Sequence, residues 1–446
     1  MTIATHDHVS FGGTGRDSLA AASLVALRPV FDLGRPRDFR IALWDGSELS
    51  PETGSEARFT LRFHGPAALR RFLTASGQVG LAEGYIYGDY DIEGSVDATI
   101  EAGRALLERP LALADRARVA RLLMILPRER RDVVRPGQAV RRQGMRHSKA
   151  RDRRAVSYHY DVSNDFYGLW LDEQMVYSCG YFEQGDEDIH QAQRQKLEHT
   201  CRKLRLRPGE RLLDIGCGWG ALMLHAARHY GVDVTGVTLS HHQAEEARRR
   251  IAAAGLSDRC HVHLMDYRDL PATPGFDKIV SIGMFEHVGR AQFSTYFRKA
   301  WSLLKPGGVF LNHAISEPYP YNRDTSPTLI NSYVFPDAEL VPLFEAQEMA
   351  ERIGFEVRDV ENLREHYART LAHWASRLEA NQVAAVAASN PVVYRIWRLY
   401  MHGSGQAFRE NRIQIFQSLY SKSDAVGRSH LPLTRRDWYA RSTAES

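Results

Sequence analysis

The chain has 446 residues, 43% of them apolar and 25% charged, with a formal net charge of +4. That is material for two or three soluble domains. It excludes a disulfide framework and a zinc site, since the four cysteines (Cys179, Cys201, Cys217, Cys260) are few and lack metal-ligand spacing, so no metal is expected and a reduced, cytoplasmic setting fits. No run approaches eighteen apolar residues, and the N-terminus lacks the basic and apolar stretches of a secretory signal, so any membrane contact is expected to be peripheral.

Residues 1–16 read as disordered and 17–34 as a short helix. FRIALWDG and ARFTLRFHG alternate and close in glycine turns, so they read as strands. LRRFLTASG and SVDATIEAGRALLERP read as helices on either side of a tyrosine-rich loop, GYIYGDYDIEG. Residues 17–126 are therefore a small α+β domain with no catalytic constellation. Tyr85, Tyr87 and Tyr90 read as parts of a packed loop, a lipid or partner groove being the other reading. Residues 127–154 hold eleven Lys or Arg against three acids and read as a basic linker. Near an anionic bilayer each such side chain contributes about 1 kcal/mol. The run suits phospholipid headgroups, with nucleic-acid phosphate as the competing anionic surface.

Residues 155–446 form the remaining domain. A polar, aromatic stretch precedes the helix IHQAQRQKLEHTCRKL. Strands and helices then alternate through RLLDI, ALMLHAARHY, VDVTGVTLS, HHQAEEARRRIAAAG, CHVHLMD, FDKIVSIG, AQFSTYFRKAWSLL and VFLNHAI. That order specifies an α/β fold with a doubly wound, mostly parallel sheet. Ligands of such sheets bind at the carboxyl ends of the strands. Beyond Ser316 come an aromatic, Pro-rich insertion, a helix near 337–353, a strand FEVRDV, and helices over 363–380 and 390–410. IQIFQSLYS (413–421) reads as an antiparallel last strand closing the sheet.

The turn in RLLDIGCGWG (211–220) is the first chemical signal. A dinucleotide site has GxGxxG and an acid at the end of the second strand. Here the spacing is GxGxG, Asp214 precedes the first glycine, and the second strand ends in VTLS. A phosphate loop would need GK[ST], which is absent. The pattern suits S-adenosylmethionine, whose zwitterionic amino-acid end needs close backbone approach rather than a phosphate cradle.

The stretches YHYDVSNDFYGLWLDEQMVYSCGYF (158–182), LLDIGCGWG, VTGVTLSHHQ, IVSIGMFEHVG, KPGGVFLNHAIS and HYARTLAHW (366–374) together resemble the cyclopropane-fatty-acyl-phospholipid synthase family, which includes the mycolic acid cyclopropane synthases. The resemblance covers the chain beyond about residue 155 and extends weakly to GYIYGDYDIEG (84–94). It implies the class I methyltransferase fold, S-adenosylmethionine as methyl donor, and a bound bicarbonate. Matching positions for the donor are Tyr177, Ser178, Asp214, Gly216, Gly218, Gly220, Thr238, Leu239, Gln243, Asp266, Tyr267 and Arg268. Asp266 is read as a partner of the adenine amino group, and Tyr267 stands where mycolic members have Trp. Those for bicarbonate are Cys179, Glu286, His313, Ile315 through its backbone, and Tyr367. The set has physical sense: bicarbonate needs an acceptor for its one proton beside several donors.

The resemblance implies transfer of a methylene group to a cis double bond in phospholipid acyl chains at the inner face of the membrane, through a carbocation that loses a proton to bicarbonate. The alternative resolves the same cation to a methyl-branched or methylene product. YVFPDAELVP (333–342) departs from the family's Pro-Gly or Pro-Asn-Gly turn and keeps that alternative open. A nucleic-acid partner is disfavoured, since no aromatic, basic stacking platform follows the fourth strand; a homodimer is left open.

Overall fold

In the computed structural model the described residues are 15–52, 54, 56–131, 133, 147–152, 154, 163–273, 275–320 and 328–439. The predicted disordered segment lies outside them except for its last two residues. So do most of the basic stretch, Tyr158 to Val162, and Tyr321. The chain divides into two units, Met1–Val134 and Arg135–Ser446, and the division falls inside the basic stretch.

The first unit carries helices α1 (Gly15–Val30), α2 (Pro66–Leu73), α3 (Gly77–Ile86), α4 (Val96–Glu108) and α5 (Leu113–Ile125). Its sheet has the order β2-β1-β3-β4, from β1 (Arg40–Ala42), β2 (Glu48–Leu49), β3 (Phe59–Phe63) and β4 (Tyr90–Gly94). Phe59, Leu61 and Phe63 turn inward while Arg62 faces solvent and pairs with Glu93. Phe39 stacks on Phe59 at 4.7 Å, and Phe72 stands edge-on to Phe63 and Tyr90. The tyrosine-rich stretch is not a loop. Tyr85 lies in the last turn of α3 and Tyr90 opens β4, both buried, and only 87–89 turn. Gly84 permits this, because a Cβ there would strike the Tyr90 ring.

The second unit has a seven-stranded sheet. Its strands are β5 (Arg211–Ile215), β6 (Asp233–Thr238), β7 (Cys260–Leu264), β8 (Phe276–Ile282), β9 (Leu304–Ser316), β10 (Glu356–Asn362) and β11 (Gln414–Ser421). The order is β10-β11-β9-β8-β5-β6-β7, and the pairings from β9 through β7 are all parallel. Leu212, Leu213, Ile279, Val280, Val309, Phe310 and Leu311 are fully buried, as expected of central strands covered on both faces. β11 is antiparallel, as read from the sequence, but it does not close the sheet. It lies between β9 and the edge strand β10.

The helices are α6 (Asn164–Gly168), α7 (Ile189–Leu204), α8 (Ala221–Tyr230), α9 (His241–Ala253), α10 (Phe293–Leu303), α11 (Leu343–Ile353), α12 (Arg364–Ala380), α13 (Gln382–Ala388), α14 (Pro391–Arg409) and α15 (Arg436–Tyr439). Asp188 caps α7 through the Gln191 N–H, and Ser240 caps α9 through the Gln243 N–H. The second cap fixes the first turn of α9 directly after β6. No helix among the described residues is long and apolar enough to cross a membrane.

Candidate active site

The carboxyl ends of β5 to β9 open onto two adjoining cavities. The first is lined by Tyr177, Ser178, Asp214, Gly216, Gly218, Thr238, Leu239, Gln243, Asp266, Tyr267 and Arg268. These are eleven of the twelve positions expected to meet the methyl donor. The twelfth, Gly220, stands behind them: with φ of 83° it starts α8, packed toward Ala247. The turn is held open by its backbone. Gly216 and Cys217 donate their N–H groups to the Val237 carbonyl at 2.9 and 3.1 Å. Gly216 and Gly218 have φ of 86° and 53°, in the left-handed region where only glycine is unstrained. A Cβ on Gly216 would press on Met284, whereas one on Gly218 would meet nothing. The backbone at Gly218 is therefore open to the cavity.

Thr238 donates its hydroxyl to Gln243 Oε1 at 2.8 Å, so β6 and α9 fix each other at the rim. Asp266 and Arg268 are more occupied than the sequence suggests. Arg268 binds both Asp266 oxygens, at 2.8 and 2.6 Å, and reaches Asp152 Oδ2 at 2.7 Å. Asp266 thus enters any adenine contact already paired with a guanidinium.

The second cavity, of about 740 Å³, shares Tyr177, Ser178, Ile282, Gly283 and His287 with the first. Cys179, Glu286, His313, Ile315 and Tyr367 all line it. Burial pushes the Glu286 carboxyl up to about 7. Its Oε1 accepts the Ile315 N–H at 2.7 Å, and its Oε2 is buried with no partner. The Ile315 N–H, expected to meet bicarbonate, is therefore taken by Glu286. His313 is completely buried and held well below its usual range by desolvation, hence neutral. Gln417 on β11 contacts its Nδ1 at 3.3 Å, and its Nε2 has no partner. Desolvation drives the Cys179 thiol pKa strongly upward, so it is a thiol and not a thiolate. Tyr367 packs its ring on Phe408 at 4.7 Å. His287 lines both cavities, and burial pushes it down to about 4. Tyr177 stands among Tyr167, Trp170, Trp374 and Trp397, with ring centroids 5.3 to 5.9 Å away. Of these rings Tyr177 is the one that lines the cavities, and the others pack behind it and fix its position.

Three features of the site were not read from the sequence. Lys196 of α7 is buried and lines the donor cavity. Its place four residues after Ala192 and four before Thr200, on the inward face, was the available signal. Gln417 owes its role to strand register, since β11 pairs it with His313. The end of the basic stretch, residues 147–152, is a strap over the cavities: Arg151 pairs with Asp337, Asp152 with Arg268, and Lys149 with Asp269. Arg151 and Lys149 are therefore paired with acids of the same unit. Asp337 belongs to the departing loop 333–342, of which Phe335, Asp337, Ala338, Glu339 and Leu340 line the larger cavity.

The strap also explains the glycine of FEHVG. Gly289 has φ of 75°, and a Cβ there would fall on the His147 ring. Gly289→Ala is expected to destabilise the unit by about 1–3 kcal/mol. Thermal melting would read this, and His147→Ala should return part of the loss.

The seven-stranded sheet, the GxGxG turn after its first strand and the cavity at the strand ends are those of a class I S-adenosylmethionine-dependent methyltransferase, the class of the solved structures this chain resembles at 34–36% identity. The chain belongs to the mycolic acid cyclopropane synthetase family, whose model matches residues 147–418. A probable fatty acid methyltransferase of Pseudomonas putida is 40% identical over 404 residues, 90% of this chain and 96% of that one. The cyclopropane-fatty-acyl-phospholipid synthase of Escherichia coli is 38% identical over 265 residues, 59% of this chain and 66% of that one. Among solved structures, mycolic acid cyclopropane synthase CmaA1 complexed with SAH and CTAB superposes with a TM-score of 0.57 at 36% identity, covering 60% of this chain and 97% of that one.

Proposed function

We propose that the protein transfers a one-carbon unit from S-adenosylmethionine to a cis double bond in the acyl chains of phospholipids, closing a cyclopropane ring. The observation that carries this is the larger cavity, which adjoins the donor cavity at Tyr177 and Ser178 and has two unpartnered buried polar atoms in its wall, Glu286 Oε2 and His313 Nε2. An alkene is a weak nucleophile, so catalysis here is positioning near the sulfonium and exclusion of water. The Tyr177 ring, held by its aromatic neighbours, favours the cation electrostatically.

An acceptor and an imidazole nitrogen left unpartnered in one buried wall fit a small hydrogen-bonding oxyanion such as bicarbonate. Glu286, His313 and Tyr367 would hold it, and when bound it supplies a base for the proton of the new methyl group. Glu286 as carboxylate accepts, and neutral His313 is fixed by Gln417 on its far side.

Membrane contact in this reading is peripheral, on the cytoplasmic face. Its support is in the first unit, where Leu113, Met124 and Ile125 are exposed on an Arg-bearing helix that runs into the basic stretch. Co-sedimentation with anionic vesicles, weakening with salt, is the expected result; equal binding to neutral vesicles would remove the headgroup role.

The second reading, a methyl-branched or methylene product, is favoured by the name of the Pseudomonas putida relative and by loop 333–342. Expression in cells rich in monounsaturated phospholipid, followed by mass spectrometry of the fatty acids, tests both. A chain heavier by one methylene is expected, and no change in the acyl chains would overturn the proposal. Proton NMR then separates the products, since cyclopropyl protons lie upfield of ordinary methyls.

A further inference from the structure

His313, Gln417 and Glu361 stand side by side on β9, β11 and β10, because β11 pairs Gln417 with His313 on one side and with Glu361 on the other. Cross-strand partners share a face of the sheet, so the three side chains form one row leading away from the larger cavity. At its outer end Glu361 Oε2 meets His199 Nε2 at 2.9 Å and pairs with Lys203. At its inner end His313 borders the cavity, and its Nε2 has no partner among the described residues.

Gln417, between them, is a poor choice for packing alone. It is completely buried, and its Oε1 has no hydrogen-bond partner among the described residues. An unpaired buried carbonyl is a cost that a methionine of nearly the same length would not incur. What the amide gains is the contact of its Nε2 with His313 Nδ1, at 3.3 Å. An amide nitrogen donates and cannot accept, whereas a hydroxyl in its place could do either. Facing such a group, Nδ1 accepts, and the single proton of the neutral ring is then on Nε2.

We propose that Gln417 selects the Nε2–H tautomer of His313 and so makes this part of the cavity wall a hydrogen-bond donor. The wall then offers two opposite groups, the donor His313 Nε2–H and the acceptor Glu286 Oε2, which is likewise buried without a partner. Together they fit an oxyanion that keeps one O–H, donating to Glu286 and accepting from His313. A reversed amide would set Oε1 against an Nδ1–H and leave two acceptors in the wall, an arrangement that repels an anion. Gln417 is a positioning residue that acts through His313. Its effect on turnover rests on the proposed one-carbon transfer; the tautomer does not.

The tautomer is read without substrate, in the full chain carrying isotope-labelled histidine, by two-bond proton–nitrogen correlation of the imidazole rings. The His313 signals are those lost in His313→Asn. The expected result is an Nδ1 of pyridine type and an Nε2 of pyrrole type. In Gln417→Glu, whose carboxylate only accepts, the two nitrogens should exchange types or both become protonated. In Gln417→Met they should move to averaged values. Reversed types in the wild type, or His313 signals in Gln417→Met identical to the wild type, would overturn the proposal. Gln417→Met should bind S-adenosylhomocysteine like the wild type and turn over about 10- to 100-fold more slowly; undiminished turnover would overturn the positioning role. Wild-type protein with the expected tautomer that leaves every acyl chain unaltered would overturn the proposed reaction and not the tautomer.

Discussion

Glu286→Gln is expected to lower turnover by about 10²- to 10⁴-fold and to leave S-adenosylhomocysteine binding unchanged. The amide keeps the shape of the side chain and an oxygen to accept the Ile315 N–H, which in the native residue is held at 2.7 Å. What it loses is the acceptor at Oε2, the atom that faces the cavity without a partner. An N–H₂ group there presents a donor where the chemistry needs an acceptor. The pH profile is a second readout. Burial raises the Glu286 pKa to about 7, so the carboxylate form grows in as pH rises through that value. Turnover should therefore fall on the acid side of about 7 and level off above it. The sign for stability is opposite. A carboxyl whose folded pKa is raised contributes most to stability at low pH, and that contribution is lost as pH rises through the folded value. Glu286→Gln should then be no less stable than the native protein above pH 7. A variant that keeps full turnover would take Glu286 out of the reaction.

Arg151→Met is expected to destabilise the second unit by about 3–5 kcal/mol. The guanidinium and the Asp337 carboxylate are 7% and 5% exposed and meet through two parallel bonds, at 2.7 and 2.6 Å. Removing one partner strands the other charge in the wall of the larger cavity, which is where the cost arises. Replacing both, as Arg151→Met with Asp337→Leu, should recover most of the loss, because a well-packed apolar pair of similar volume is often as stable as a buried ion pair. The shift of the denaturation midpoint of the single and double variants measures this. A single variant as stable as the native chain would show that the strap is not held by this pair.

The parallel part of the sheet was legible because its period is local: apolar runs, glycine turns and amphipathic helices follow one another without interruption. The positions from Asp214 to Arg268 that meet the donor cavity were legible for the same reason, since they are strand ends or the turns and the first helical turn that directly follow them. The tyrosine-rich stretch was misjudged because its short helix and strand share residues that also suit a turn. Only the packing of Tyr90 against Gly84 and Phe63 decides between them. Arg151 and Asp337 lie 186 positions apart, and no local pattern links them. The basic stretch accordingly looked uniform, although its last residues are intramolecular fasteners. Lys196 was hidden by its own chemistry, since a lysine in a helix is ordinarily a solvated residue.

The insertion of β11 between β9 and β10 has a consequence for how the protein comes into being. Gln417 stands opposite His313, and among the described residues it is the side chain that meets the imidazole Nδ1. The donor cavity is complete once the chain has been made through Val288, but the acceptor cavity also needs Tyr367, Phe408 and Ile415. The lining of the methyl-donor site is therefore synthesised before the strand that orients the histidine, while the core that holds that lining in place closes only with Phe310, Leu311, Leu419 and Tyr420.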